Sequence, residues 1–191
     1  MARRVGLTRE DVIGAAAAIA DANGIEQLNV AAVAQRLGVR SPSLYHHVPG
    51  VEGLRRALAL HGAARLREAL AAAARGRRGR PALVAAARAY RSFARRHPGQ
   101  LSAMLPAPRP DEDDELYRAL AGPVADLARM LGEIGVEGDA AIHVVRALRS
   151  YLHGFVDLER RGGFGMPQKL EVSFERGLQM IIDGITTRRT G

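Results

Sequence analysis

The chain has 191 residues, 47% hydrophobic and 25% charged, with no cysteine and a formal net charge of +8. That length and apolar content fit one or two packed domains and exclude a disordered chain. No apolar run reaches the ~18–20 residues needed to span a bilayer, disulfides and thiolate metal sites are excluded, and the amino terminus lacks the apolar stretch of a secretory leader, so a cytoplasmic protein without membrane contact is expected.

Charge is unevenly placed. The first 80 residues carry 13 Arg against 6 acidic residues, whereas the rest carry 14 Arg and the single Lys169 against 14 acidic residues. A basic amino-terminal body suited to a polyanion therefore precedes a nearly balanced one.

The first expected helix spans residues 8–23. Thr8 and Asp11 form a capping-box pair, Leu7 can staple onto Val12, and Val12, Ala16, Ile19 and Ala20 make an apolar stripe that Asn23-Gly24 ends. Asn29 caps a second helix, in which Ala34 is small enough for close helix packing. Gly38 then permits a left-handed turn, Val39 plugs the corner, and Ser41-Pro42 opens a third helix as N-cap and first helical residue. Leu44 and Val48, at i and i+4, anchor that helix and turn Arg40, Ser43, Tyr45, His46 and His47 outward. An exposed segment bearing arginine, hydroxyls and an aromatic, braced by a partner helix, suits the major groove of DNA.

Pro49-Gly50 breaks the chain before a long helix over 51–74, and residues 75–80 form an arginine- and glycine-rich connector. Further helices are expected at 81–97, 98–105, 112–134 with a break or kink at Pro123, 138–160 and 169–187. The proline-rich stretch 106–110 is a rigid linker and 161–168 a glycine-rich loop. The expected fold is all-α with about nine helices. A helix-turn-helix domain over 1–50 is followed by a helical domain over 51–191, whose first helix, 51–74, connects the two.

The acidic run 111–115 lies where carboxylates stabilise a helix amino end, and His143 and His153 are about three turns apart on one helix, so no metal site and no cofactor are expected. No nucleophile elbow, phosphate-cradling glycine loop or i, i+4 metal pair is present, which argues against an enzyme. The alternative is a helical small-molecule-binding protein or enzyme without sequence-specific DNA binding.

Thr8, Ala34, Gly38, Val39, Ser41, Leu44, Tyr45 and His47 together resemble the tetracycline-repressor (TetR/AcrR) family of bacterial transcription regulators. The segments AYRSFARRHPGQLSAML and LHGFVDLERRGGFG resemble a branch named for a Trp-His-Gly motif, of which His153-Gly154 keeps two letters while the chain has no tryptophan. Val51 stands where the family often has a lysine against the DNA backbone. The resemblance implies a homodimeric, ligand-responsive repressor of a palindromic operator. Arg40 would fork onto guanine, Ser41 and Ser43 would bond a base edge or phosphate, and Pro42 would touch a thymine methyl. Tyr45, His46 and His47 would hold phosphates, Asn29 and its helix end would hold another, and the arm Arg3-Arg4 would add charge.

By the same resemblance, residues 81–191 bind a small-molecule effector and form the dimer. Tyr90, Phe93, Met104, Tyr117, Met130, His143, Arg146 and Tyr151 offer aromatic walls with a few polar groups for a pocket. Val144, Val145, Leu148, Leu152, Phe155 and Val156 on one helix, and Phe174, Leu178, Ile181, Ile182 and Ile185 on the next, carry more apolar surface than one narrow stripe needs. Leu152, Phe155, Val156, Phe174, Leu178, Ile181, Ile182 and Ile185 are thus expected at the dimer interface.

Overall fold

The computed structural model describes residues 6–106, 111 and 113–187. Eight α-helices and two short 3-10 turns, with no strand, occur among them: α1 Arg9–Asn23, α2 Val30–Leu37, α3 Gly50–Ala74, α4 Gly79–Arg96, α5 Pro98–Ala103, α6 Asp114–Gly132, α7 Gly138–Arg160 and α8 Leu170–Thr187. The turns are Ile25–Gln27 and Ser41–Leu44. The arm Arg3-Arg4 and most of the proline-rich linker (107–110) lie outside the described residues.

The chain divides into two compact units, one of Met1–Arg65 with Arg96–Leu120 and one of Leu66–Arg95 with Ala121–Gly191. The first therefore extends beyond the three-helix body of residues 1–50, taking in the amino-terminal part of α3 and all of α5.

In the first unit α1 begins with the expected capping box: the Asp11 amide donates to the Thr8 hydroxyl oxygen at 3.1 Å, and the Thr8 amide donates to Asp11 Oδ2 at 2.9 Å. The hydrogen bonds from Thr8, with a smaller contribution from nearby His47, hold the Asp11 carboxyl below its ordinary range. Val12, Ala16 and Ala20 of α1, Leu28, Val33 and Ala34 around α2, Leu44 and Val48 after the turn, and Leu54 and Leu58 of α3 form one apolar core. α5 packs most extensively on α1. The contact is so close that a Cβ on Gly99 would come 2.1 Å from the Ala20 carbonyl carbon, so only glycine fits there.

The second unit packs Leu66 and Leu70 of α3, Leu83, Tyr90 and Phe93 of α4, Met130 and Leu131 of α6, and the inner faces of α7 and α8 as buried side chains. Three arginines of α4 reach α8 in antiparallel register: Arg80 pairs with Asp183, Arg88 with Glu175 at 2.7 Å, and Arg91 with Glu171 at 2.6 Å. Arg91 is only 5% exposed; it also takes Glu159 through two nitrogens at 2.9 and 3.1 Å and lies 4.4 Å from the Phe174 ring centroid. Burial opposes its charge, and the two carboxylates outweigh that cost and raise its pKa.

At Pro123, where a break or kink is expected, α6 continues without a break. One local expectation is corrected. The third helix is a four-residue 3-10 turn, continued by single hydrogen-bonded turns to Val48.

Candidate nucleic-acid interface

The site begins at the end of α2. Gly38 adopts φ 66°, ψ 30°, the left-handed conformation that lacks a penalty only for glycine. Its amide donates to the Gln35 carbonyl at 3.2 Å, and the Val39 amide donates to the Ala34 carbonyl at 3.0 Å. These two bonds make a Schellman termination, satisfying carbonyls the helix end would leave open and reversing the chain.

Arg40 is extended (φ −83°, ψ 144°) and precedes the turn as its N-cap, with no side-chain capping bond. Ser41 is therefore the first residue inside the turn rather than its cap, contrary to the expectation, and Pro42 follows it. The Ser43 amide donates to the Arg40 carbonyl (3.0 Å), the His47 amide to the Leu44 carbonyl (2.9 Å) and the Val48 amide to the same carbonyl (3.0 Å). Pro42 lacks an amide hydrogen, and its fixed φ suits a helical start, so the segment forms as short turns with little cost.

Leu44 is 0% and Val48 2% exposed, both inserted in the core. The other side of the segment faces solvent: Arg40, Pro42, Ser43 and His46 are exposed, Tyr45 is 59% exposed, and Ser41 and His47 are half-buried. An exposed tyrosine beside a guanidinium, two hydroxyls and two imidazoles, on a segment anchored by two buried side chains, offers hydrogen bonds to base edges and phosphates. Asn29 behaves differently. Its amide oxygen accepts from the Ala32 amide at 2.8 Å, and its amide nitrogen donates to the Gln27 carbonyl at 3.1 Å. The side chain thus holds the start of α2.

The eight expected pocket residues divide between the two units. Tyr90, Phe93 and Met130 are buried in the second unit, and Tyr151 is half-buried there, its hydroxyl donating to the Phe174 carbonyl at 2.7 Å. Met104 is buried in the first unit, and Tyr117, 42% exposed, also belongs to that unit. His143 and Arg146 are exposed on α7. Tyr90 meets the exposed Arg149, a cross-helix partner that the pattern of one helix face does not show; burial, outweighing Arg149, raises the Tyr90 phenol. Nearby, burial pushes His153 below its ordinary value, and its Nδ1 is buried with no hydrogen-bond partner among the described residues.

The expected dimer residues divide by burial. Leu152, Phe155, Val156, Phe174, Leu178 and Ile182 are covered by their own chain: α7 packs on α8, and Arg91 of α4 lies over the Phe155 and Phe174 rings. Ile181 and Ile185 remain half-buried and line an open groove of about 770 Å³ with His143, Val144 and the 74%-exposed Met180. Among the described residues no group of three or more His, Asp or Glu is placed to hold a metal ion, and no helix is long and apolar enough to cross a membrane.

Residues 12–58 match the family model described as bacterial regulatory proteins, tetR family, and residues 83–181 match a tetracyclin repressor-like C-terminal domain. An uncharacterized HTH-type transcriptional regulator of Bacillus subtilis (strain 168) is 33% identical over 186 residues, covering 97% of this chain and 96% of its own. Another, from Mycobacterium tuberculosis, is 36% identical over 162 residues, covering 85% and 74%. Among solved structures, a protein of unknown function from Rhodococcus sp. RHA1 has a TM-score of 0.80 at 21% identity, covering 96% of this chain and 98% of that one. A substituted TetR from Acinetobacter baumannii AYE in complex with minocycline has 0.72 at 22% identity, covering 97% and 100%. At such identities these two structures speak for the fold.

Proposed function

The chain belongs to the TetR family of bacterial transcriptional regulators, and on that premise we propose that this DNA-binding regulator is a ligand-responsive repressor acting in the cytoplasm on a palindromic operator as a homodimer. The observation that carries the proposal is the exposed edge from Arg40 to His46, held out from the core by buried Leu44 and Val48. Arg40 reads guanine O6 and N7 in the major groove. Ser41 and Ser43 bond a base edge or phosphate, and Pro42 meets a thymine methyl. Tyr45, His46 and His47 hold phosphates and fix register. Asn29 acts through the helix it caps, whose first amides face a phosphate.

Two copies are required for two half-sites about 34–36 Å apart, one in each successive major groove. The groove lined by Val144, Met180, Ile181 and Ile185 is the face a second copy covers. Tyr90, Phe93, Met130 and Tyr151 remain the walls for an effector inside the second unit; the minocycline complex of the similar Acinetobacter protein supports effector binding in this fold. An effector releases DNA only by binding one conformation better than the other, and about 1.4 kcal/mol of that difference gives tenfold release.

A mobility-shift experiment with the DNA flanking the protein's own gene tests this reading. Sequence-dependent, salt-sensitive binding of two protomers per site is expected. Binding with no preference among fragments would contradict it.

A further inference from the structure

Asp21, near the carboxyl end of α1, sits over the amino end of α5. Its Oδ1 accepts from the Gly99 amide at 2.9 Å and the Gln100 amide at 3.0 Å. Its Oδ2 accepts from Gln100 Nε2 at 2.7 Å and lies 3.1 Å from His97 Nδ1. One carboxylate therefore satisfies amides that the first turn of α5 leaves without intrahelical partners. Gln100, 1% exposed, is held from the other side by Arg65 of α3 at 3.3 Å, and the same guanidinium lies 3.3 Å from His97 Nε2. Gly99 rests on the Ala20 backbone, and Ala20, fully buried, belongs to the same apolar core as Leu44 and Val48. The clasp is remote in sequence from the DNA-reading segment and shares its core.

We propose that Asp21 is a positioning residue for operator recognition: by capping α5 from α1, it couples the placement of α5 to the placement of the core that carries the Arg40–His46 edge. The inference rests on the DNA-binding reading and extends it to residues 97–104, outside the three-helix body. Because linkage is reciprocal, whatever Asp21 contributes to operator binding, operator DNA returns as a tighter clasp. The sign of the effect separates this role from plain electrostatics. Removing a negative charge from a protein that binds a polyanion favours DNA binding, whereas loosening the clasp disfavours it.

The experiment compares the full-length wild type with Asp21→Asn and Gln100→Met, using operator DNA and a scrambled duplex. Asp21→Asn keeps an oxygen for the two backbone amides but turns an NH2 group toward the Gln100 Nε2 donor. We expect it to weaken operator binding about five- to tenfold while scrambled-duplex binding does not weaken and the slope of affinity against salt stays unchanged. Gln100→Met, which leaves both backbone amides on Asp21, should shift operator affinity the same way by a smaller factor. Hydrogen exchange completes the test: operator DNA should slow exchange in a peptide covering residues 97–105 in the wild type and lose that effect in Asp21→Asn. Equal or tighter operator binding by folded Asp21→Asn, or an equal loss on both duplexes, overturns the proposal. So does wild-type exchange at 97–105 that operator DNA leaves unchanged. Failure of the wild type to prefer the operator would instead reject the DNA-reading assignment itself.

Discussion

Gly38 carries a conformational demand that no neighbour imposes by crowding. A Cβ there meets nothing within 4 Å, yet φ is +66°. Gly38→Ala should therefore destabilise the protein by about 1–2 kcal/mol, the left-handed penalty alone. Urea unfolding would read it as a lower midpoint with an unchanged slope, and an unaltered midpoint would contradict the turn geometry. His153 makes a second prediction at this scale. Burial lowers its pKa, so the unfolded chain binds the proton more readily and stability rises with pH through the ordinary histidine range. The carboxylates act lower on the scale. Asp113 is lowered to about 2, first by its hydrogen bond to Arg56, and Glu175 and Asp183 are lowered by Arg88 and Arg80. Their stabilisation is fully present above the ordinary carboxylate range and is lost as pH falls through 4 toward 2. Melting temperature followed from pH 7.5 to 2.5 should thus fall first near pH 6.5 and again below pH 4. A flat profile would contradict both assignments.

Elements whose ends carry local chemical signals were legible in the sequence. Thr8 with Asp11, Asn29 and Gly38 each mark a terminus by their own chemistry, and α1 and α2 begin and end where those residues stand. Ser41 was misleading because serine before proline reads as a cap, while the tight Schellman turn places the helical start one residue earlier. Pro123 suggests a break or kink because proline removes an amide donor, and α6 continues through it without a break. What the sequence hid is pairing between distant helices. The apolar faces of α7 and α8 exceed one stripe, and periodicity does not reveal whether the surplus meets a second copy or α4 of the same chain. Burial assigns most of it to the chain's own core. The clasp of Asp21 on α5 and the α4–α8 arginine pairs are likewise contacts between residues 76 to 103 positions apart, beyond any local pattern. Arg91 tests the second set. Arg91→Met leaves Glu159, with 13% of its side chain exposed, beside only the more distant Arg95 among the described residues, and should cost about 3 kcal/mol of unfolding free energy. A loss below about 0.5 kcal/mol, as for an exposed pair, would show that the arginine contributes little to holding α4, α7 and α8 together.

For the whole molecule, the basic first 80 residues and the nearly balanced remainder divide two kinds of work. Positive charge brings the regulator to any duplex, and salt weakens that attraction for every sequence alike. Preference for one sequence requires groups that touch base edges, and Arg40 is the residue proposed to read guanine. The measurement that bears most directly on this division is the equilibrium affinity of wild type and Arg40→Ala for operator and scrambled duplexes at one fixed salt concentration. Wild type should prefer the operator by about a thousandfold or more. Arg40→Ala should lose about 1–3 kcal/mol of that preference at a single base-pair position, with scrambled-duplex affinity nearly unchanged. Equal weakening on both duplexes would make Arg40 a phosphate contact and contradict the assignment of the Arg40–His46 edge as the part that reads sequence.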